Sequence, residues 1–325
     1  MKLATYSGRS GTRVGAITSD GARVVDLAAA AGRDGGPFAD MLALIEAGEA
    51  GLDKARKLAS AAERSGDHQV ALKDVRLLAP IPVPPQIRDF SVFPLHLQQG
   101  FVGMQKLAAE MQGRPLPEVE AGDIPEVYRR QPVYYFSNRF SVVGPDADVH
   151  WPAYSKYMDY EIELAAVIGR KGRDIGAADA RGHIFGYTIL NDFSARDAQL
   201  IEMAGMLGPA KGKSFDYGNA LGPWIVTRDE IPDVRALRAS VRINGKPALD
   251  SDCSAMMHGF EEMVAFVSRG ETLMPGEIFG SGTVGNGCGL ERFEFLRHGD
   301  VVELEFDGIG ILRNRVLVGE PPVAR

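Results

Sequence analysis

Four prolines fall within the eight residues APIPVPPQ (Ala79–Gln86), and they limit what the chain can form on either side. Proline has no backbone N–H to give to a sheet ladder and cannot continue a helix, so this stretch is expected to run extended as a connector. The expected organisation is a small N-terminal domain over 1–78, a proline-rich linker over 79–86 and a larger domain over 87–325. Before the linker, Lys2–Tyr6, Thr12–Ile17 and Ala22–Asp26 alternate and are parted by Gly, Ser and Asp, which predicts a small antiparallel sheet. Helical patterns follow at Phe38–Ala47 and Leu52–Glu63, then a strand-like Val70–Leu78. After the linker, short β-type runs dominate: Val133–Ser137, Tyr160–Ile168, His183–Leu190, Ser240–Ile243 and Val301–Phe306. Helices are expected only after His96, at Ser194–Met206 and at His258–Ser268. Many strands, sparse helices and 38 glycines predict a β-rich α+β fold, a mixed sheet or rolled sandwich. Gly100–Arg130, rich in Met, Glu, Pro and Gln, reads as an inserted flap that could serve as a lid.

The chain has 325 residues and a formal net charge of −7, with no basic run, so a nucleic-acid partner is not expected. Two cysteines, Cys253 and Cys288, are too few for a disulfide framework and lack metal-finger spacing, which fits a reducing compartment. The first residues lack the apolar run of a signal peptide, and no later stretch is long enough to span a bilayer. A cytoplasmic location and no membrane partner are expected.

Chemistry concentrates in carboxylates. In MDYEIELAAVIG, Glu161 and Glu163 are two apart on a strand pattern and so project from one face. Paired buried carboxylates repel unless a cation neutralises them; an exposed edge strand is the plain alternative. In TILNDFSARDAQ, Asp192 ends an apolar strand, where metal and substrate groups often collect. Ser194 with Asp197 resembles a capping box, and a helix cap is all that Asp192 and Ser194 need be. Arg196, Gln199 and Met203 share a face of the expected helix, where Arg196 could simply pair with Asp197 or Glu202. A set of carboxylates without His or Cys favours Mg²⁺, Mn²⁺ or Ca²⁺ over zinc.

DYEIEL, NDFSARDAQ, LGPAKGKSF with a following GPW, and GSGTVGNGCGLE occur in that order. Together they resemble the fumarylacetoacetate hydrolase family over roughly residues 87 to 318. The resemblance implies a mixed β-sandwich roll of that family's type, preceded by a small N-terminal α+β domain and assembled as a homodimer. It implies that Glu161, Glu163 and Asp192 bind a divalent cation, Mg²⁺ foremost, with Asp89 of IRDFSVFPLH as a fourth ligand. His96, seven residues after Asp89, corresponds to the catalytic histidine, Glu291 to the glutamate that orients it, and Lys213 of GKSF to the active-site lysine. Arg196, Gln199 and Thr283 correspond to substrate-contacting residues. Some substrate anchors of the fumarylacetoacetases are replaced, by Ser91, Gln105 and Met203, and the metal-associated threonine has only Tyr217 and Asn219 as candidate counterparts. Plain readings remain beside these: Lys213 as loop charge, Thr283 as part of a glycine-rich hairpin, Cys288 as inert.

The expected activity is metal-dependent hydrolysis of a carbon–carbon bond in a small diketo acid, such as an acylpyruvate or a ring-opened aromatic catabolite. His96 would activate water, with Glu291 fixing its tautomer. The alternative is decarboxylation of a 2-oxo acid such as oxaloacetate, or hydrolysis of a dioxo sugar acid, on the same metal site. A non-enzymatic scaffold is disfavoured, because a relic would be free to lose His96, Glu291 and Lys213.

Overall fold

The computed structural model describes residues 1–8, 11–32 and 36–319. The last six residues of the larger expected domain, 320–325, lie outside the described residues. Two sheets face one another. The larger runs Gln69–Ala71, Arg23–Asp26, Gly11–Ile17, Lys2–Gly8, Asn219–Thr227, Ile184–Asp192, Ile162–Ile168, Ile278–Gly280, Ile87–Phe90, Tyr134–Ser137. The smaller runs Lys246–Asp252, Arg238–Ile243, Val301–Phe306, Gly310–Val318, Asp148–Trp151. Parallel pairs, such as Ile278–Gly280 with Ile87–Phe90, make the large sheet mixed. The β-rich α+β roll expected from the sequence is the observed class.

The strand Ile162–Ile168 shows how the layers form. Leu164, Ala166 and Ile168 enter one core, with Leu304 and Phe306 of the facing sheet and Phe260 and Val264 of the helix Phe260–Val267. Ala165 and Val167 point the other way, into a second core with Leu44, Ile45 and Leu52 of the helices Met41–Glu46 and Gly48–Ser65. A strand covered on both faces must be apolar at every position, which is why IELAAVI shows one polar residue only.

The proline stretch is neither an extended run nor a free tether: it bends at residues 80–83 and again at 85. Ala79 and Ile81 are buried in the second core, Thr5 Oγ1 donates to the Pro80 carbonyl at 2.6 Å, and Arg139 Nε to the Pro84 carbonyl at 2.6 Å. The sheet also crosses it, because Lys2 and Leu3 lie opposite Val226 and Ile225. An open sheet edge is a template for unwanted pairing; the N-terminal strands cover the Asn219–Thr227 edge.

Three local expectations change. Val70–Leu78 is not one strand, since a 3₁₀ turn over Leu72–Asp74 separates Gln69–Ala71 from Arg76–Leu77. Residues 100–111 are not a flap. They are the greater part of a helix, Pro94–Met111, that buries Leu97, Gly103 and Leu107. Their Met, Gln and Leu residues are good helix formers, and only 112–125 is irregular before the short helix Glu126–Arg130. Nor is there a capping box at Ser194. That residue pairs with Asp159 in a two-stranded ladder, and Asp197 is occupied by Ser155 Oγ at 2.5 Å and the Lys156 N–H at 2.8 Å.

Candidate active site

Three strands of the large sheet deliver the acidic trio, with Ile278–Gly280 lying between two of them. Asp89 stands on Ile87–Phe90, opposite Gly280, Glu163 on Ile162–Ile168, opposite Leu190, and Asp192 at the end of Ile184–Asp192. Ile162–Ile168 has a neighbour on both sides and Glu161, just before it, bridges to Cys288, so the edge-strand reading of the two glutamates falls away. Gly280 leaves the necessary gap: a Cβ there would lie 2.6 Å from Glu163 Oε2 and 2.8 Å from Asp89 Oδ1. Carboxylate oxygens of Asp89, Glu163 and Asp192 lie within 4.8 Å of one another, all buried. Among the described residues, Asp89 Oδ1, Glu163 Oε1 and Asp192 Oδ1 have no hydrogen-bond partner. Buried polar atoms are normally satisfied. Burial, reinforced by the charge of Asp89, pushes the Glu163 carboxyl well above the usual range. Burial also raises Asp192, with Asp89 and Glu161 adding to it against the opposing Lys213. Three orphaned oxygens converging in a buried pocket fit a hard divalent cation, and the donor set has oxygen alone.

Glu161 sits beside this trio, on its cationic side. Its Oε2 accepts from Lys213 Nζ at 2.6 Å and its Oε1 lies 2.7 Å from Arg196 Nη2. Burial opposes its ionisation, but Lys213, Arg196 and His96 outweigh burial and hold its carboxyl well below the usual range. Lys213 Nζ also reaches Asp192 Oδ2 at 2.5 Å, and burial, which disfavours its charge, is outweighed by Asp192 and Glu161 so that it stays protonated. Lys213 is thus not loose loop charge. Arg196 is not a surface residue either, because its Nε donates to Asp159 Oδ2 at 2.9 Å and its Nη1 to Gln199 at 3.0 Å. Asp159 in turn accepts from the Gly289 and Leu290 N–H groups at 2.7 and 2.8 Å, tying the glycine-rich loop to the arginine.

His96 and Glu291, 195 residues apart, meet at 3.1 Å between Nδ1 and Oε1. His96 lies in the first turn of Pro94–Met111, whose start is favoured by proline at the first helical position. Glu291 is held by the Cys288 N–H at 3.1 Å. Donation from Nδ1 to the carboxylate leaves the Nε2 lone pair free, and Nε2 lies 3.9 Å from Glu161 Oε1. Burial disfavours the imidazolium, but the hydrogen bond and charge of Glu291, with Glu161, win and raise the His96 pKa above its ordinary 6.5. Cys288, which has no base near it in sequence, has one in space: Sγ is 3.9 Å from His96 Nδ1. Burial and the charges around it push the thiol well up, so it is neutral.

A cavity of about 380 Å³ opens on Asp89, Glu161, Glu163, His96, Arg196, Gln199, Lys213 and Thr283 together. Ser91 and Met203 also line it, whereas Gln105 faces solvent. Thr283 Oγ1 is buried without a partner, which suits a ligand-facing hydroxyl better than a plain hairpin. Asn219 is occupied by Ser137 and Ser141, and Tyr217 stacks near His150, so neither joins the acidic cluster. Sequence reasoning passed over Tyr135 and Asp159. The Tyr135 hydroxyl donates to Asp192 Oδ2 at 2.5 Å, and only its place in a strand beside Asp89, at register Asp89–Tyr135, could have signalled it.

Residues 100–317 match the family model described as "Fumarylacetoacetate (FAA) hydrolase C-terminal". The chain belongs to the fumarylacetoacetate hydrolase family. The matched segment holds every site residue named above except Asp89, Ser91 and His96, which precede it. Among relatives, the mitochondrial oxaloacetate tautomerase fahd2 of Xenopus laevis is 33% identical over 308 residues, 94% of this chain and 86% of that one. The human mitochondrial oxaloacetate tautomerase FAHD2A is 36% identical over 190 residues, 58% of this chain, and the match spans only 60% of that protein's length. Among solved structures, the fumarylacetoacetate hydrolase of Exiguobacterium antarcticum superposes with a TM-score of 0.72 at 26% identity, covering 98% of this chain and 100% of that one. Among the described residues, no helix is long and apolar enough to cross a membrane.

Proposed function

We propose that this protein is a metal-dependent enzyme that moves a proton at the carbon beside the keto group of a small 2-oxo acid of the oxaloacetate class, interconverting its enol and keto forms. The observation that carries the reading is His96, with Nδ1 fixed by Glu291 and Nε2 open beside the acidic cluster in one cavity. The name of a relative aligned over 94% of the chain supports the choice of substrate class. Asp89, Glu163 and Asp192 would hold the cation, with Glu161 joining if Lys213 swings aside. A bound divalent cation supplies Lewis acidity that favours negative charge on an enolate oxygen.

The chain's own residues do the rest. His96 Nε2 takes the proton from the carbon next to the carbonyl; the C–H electron pair becomes the C=C bond and the carbonyl pair moves onto oxygen. Protonation of that oxygen gives the enol, and the reverse path returns the proton from His96 to carbon. Glu291 stabilises the imidazolium that forms in between. Lys213 and Arg196 supply positive charge to the cavity wall, where carboxylates of a dicarboxylic acid would be received.

Carbon–carbon hydrolysis of a diketo acid is the second reading. It is favoured by the same His96–Glu291 pair, since water activation needs a base, and by the likeness to a fumarylacetoacetate hydrolase. Loss of carbon dioxide from oxaloacetate also passes through the enolate but needs no base. One assay separates the three. With Mg²⁺ present, decay of enol-oxaloacetate absorbance is expected to accelerate while pyruvate forms no faster than without enzyme. Rapid pyruvate release would favour decarboxylation, and cleavage of acetylpyruvate without enol decay would replace the proposal by hydrolysis.

A further inference from the structure

The acidic trio is not the one group of metal-binding type in this molecule. His96, Cys288 and Glu291 offer nitrogen, sulfur and oxygen donors that all lie within 4.8 Å of one another. Nδ1 stands 3.1 Å from Glu291 Oε1 and 3.9 Å from Cys288 Sγ. Zinc bonds of about 2.0–2.3 Å at tetrahedral angles separate such ligand atoms by about 3.3–3.6 Å, so the two separations from Nδ1 lie within a few tenths of an ångström of what a zinc ion needs. Cys288 and Glu291 are enclosed, while His96 borders the cavity, from which a fourth ligand can come. The two groups differ in kind: three carboxylates select a hard cation, whereas a thiolate and an imidazole select a softer one.

We propose that His96, Cys288 and Glu291 form a second metal site, selective for Zn²⁺, at which zinc switches the enzyme off while the hard cation stays bound. On binding, the Cys288 thiol loses its proton to solvent and His96 turns its Nδ1 lone pair to the metal. The ring proton then resides on Nε2, and the lone pair needed for proton transfer at carbon is gone. Existence of the site is independent of the substrate; the inhibition rests on the role of His96 proposed above.

Cobalt(II) reports thiolate ligation through a sulfur-to-metal charge-transfer band in the near ultraviolet. Added to Mg²⁺-saturated protein, Co²⁺ is expected to give that band, and Zn²⁺ to abolish it. Cys253→Ser should retain the band, and both Cys288→Ser and Cys288→Ala should lose it. In turnover supported by Mg²⁺, zinc should inhibit the parent, and Cys288→Ser should need at least tenfold more zinc for the same inhibition. No band, or one that survives loss of Cys288, overturns the site. Equal zinc sensitivity in parent and Cys288→Ser would place zinc on the carboxylates and overturn the switch. A protein inactive on every 2-oxo acid would defeat the proposed function, yet the cobalt band would still decide the site.

Discussion

Single residues here divide into those that need a cation and those that already have one. Burial and neighbouring charge raise the Glu163 and Asp192 carboxyls and so favour their protonated forms. A protonated carboxyl is a poor ligand, so protons compete with the metal, and affinity for Mg²⁺ or Mn²⁺ should rise with pH. Calorimetry at two pH values is expected to show tighter binding and fewer protons released at the higher one; equal affinity and no release at either would contradict this. Glu163→Gln should weaken metal affinity more than it lowers the thermal midpoint. His96→Ala should leave Mg²⁺ binding at the carboxylates intact and slow enol–keto interconversion roughly a hundredfold to ten-thousandfold, the usual worth of a positioned acid–base group. Glu291→Gln should act the same way, and the double variant should lose far less than the product of the two. An alanine variant at His96 that turns over near the parental rate would sink the mechanism.

Among the elements, the helix Pro94–Met111 and the glycine-rich loop work as a pair, because one carries His96 and the other Glu291. Their separation is set at Gly103, where a Cβ would lie 2.5 Å from the Leu290 carbonyl. Gly103→Ala is therefore expected to push the helix outward and break the 3.1 Å contact of His96 with Glu291. Turnover should fall at least tenfold while cation affinity, set by other strands, stays within a factor of two; unchanged turnover would show that the spacing does not matter. Residues 112–125, the irregular remainder of the segment read as a flap, are expected to close over bound substrate. Slower amide exchange there with a saturating substrate analogue is the check, and identical exchange would refute it.

At the scale of the whole molecule, the β-rich α+β class was legible in the sequence, in its many short strand patterns and sparse helices, while the long-range contacts of the candidate site were not. Glu161 and Glu163 were legible because strand periodicity puts alternate residues on one face, and Asp192 because it ends an apolar strand. The contact of His96 with Glu291 was not, since nothing local encodes a meeting across 195 residues; only the order of motifs implied it. The flap misreading came from composition, which cannot tell an exposed helix from a loop when Leu97, Gly103, Leu107 and Ala109 are its few buried positions. The homodimer expectation is tested by sedimentation, where a species of twice 35.1 kDa should dominate at micromolar concentration and a monomer would refute it. The pairing of Lys2–Gly8 with Asn219–Thr227 bears on how the protein is made. A ribosome adds about 5–20 residues per second, so the early strand waits roughly ten to forty-five seconds for its partner to be synthesised. During that interval its hairpin with Gly11–Ile17 can form and Arg76–Leu77 can pair with Tyr6 and Ser7, but Lys2 and Leu3 stay unpaired on that flank, exposed to whatever else in the cell offers a matching edge. The nascent chain is thus most vulnerable to misassociation just before its last third emerges, and a folding helper that shields strand edges would act on it then.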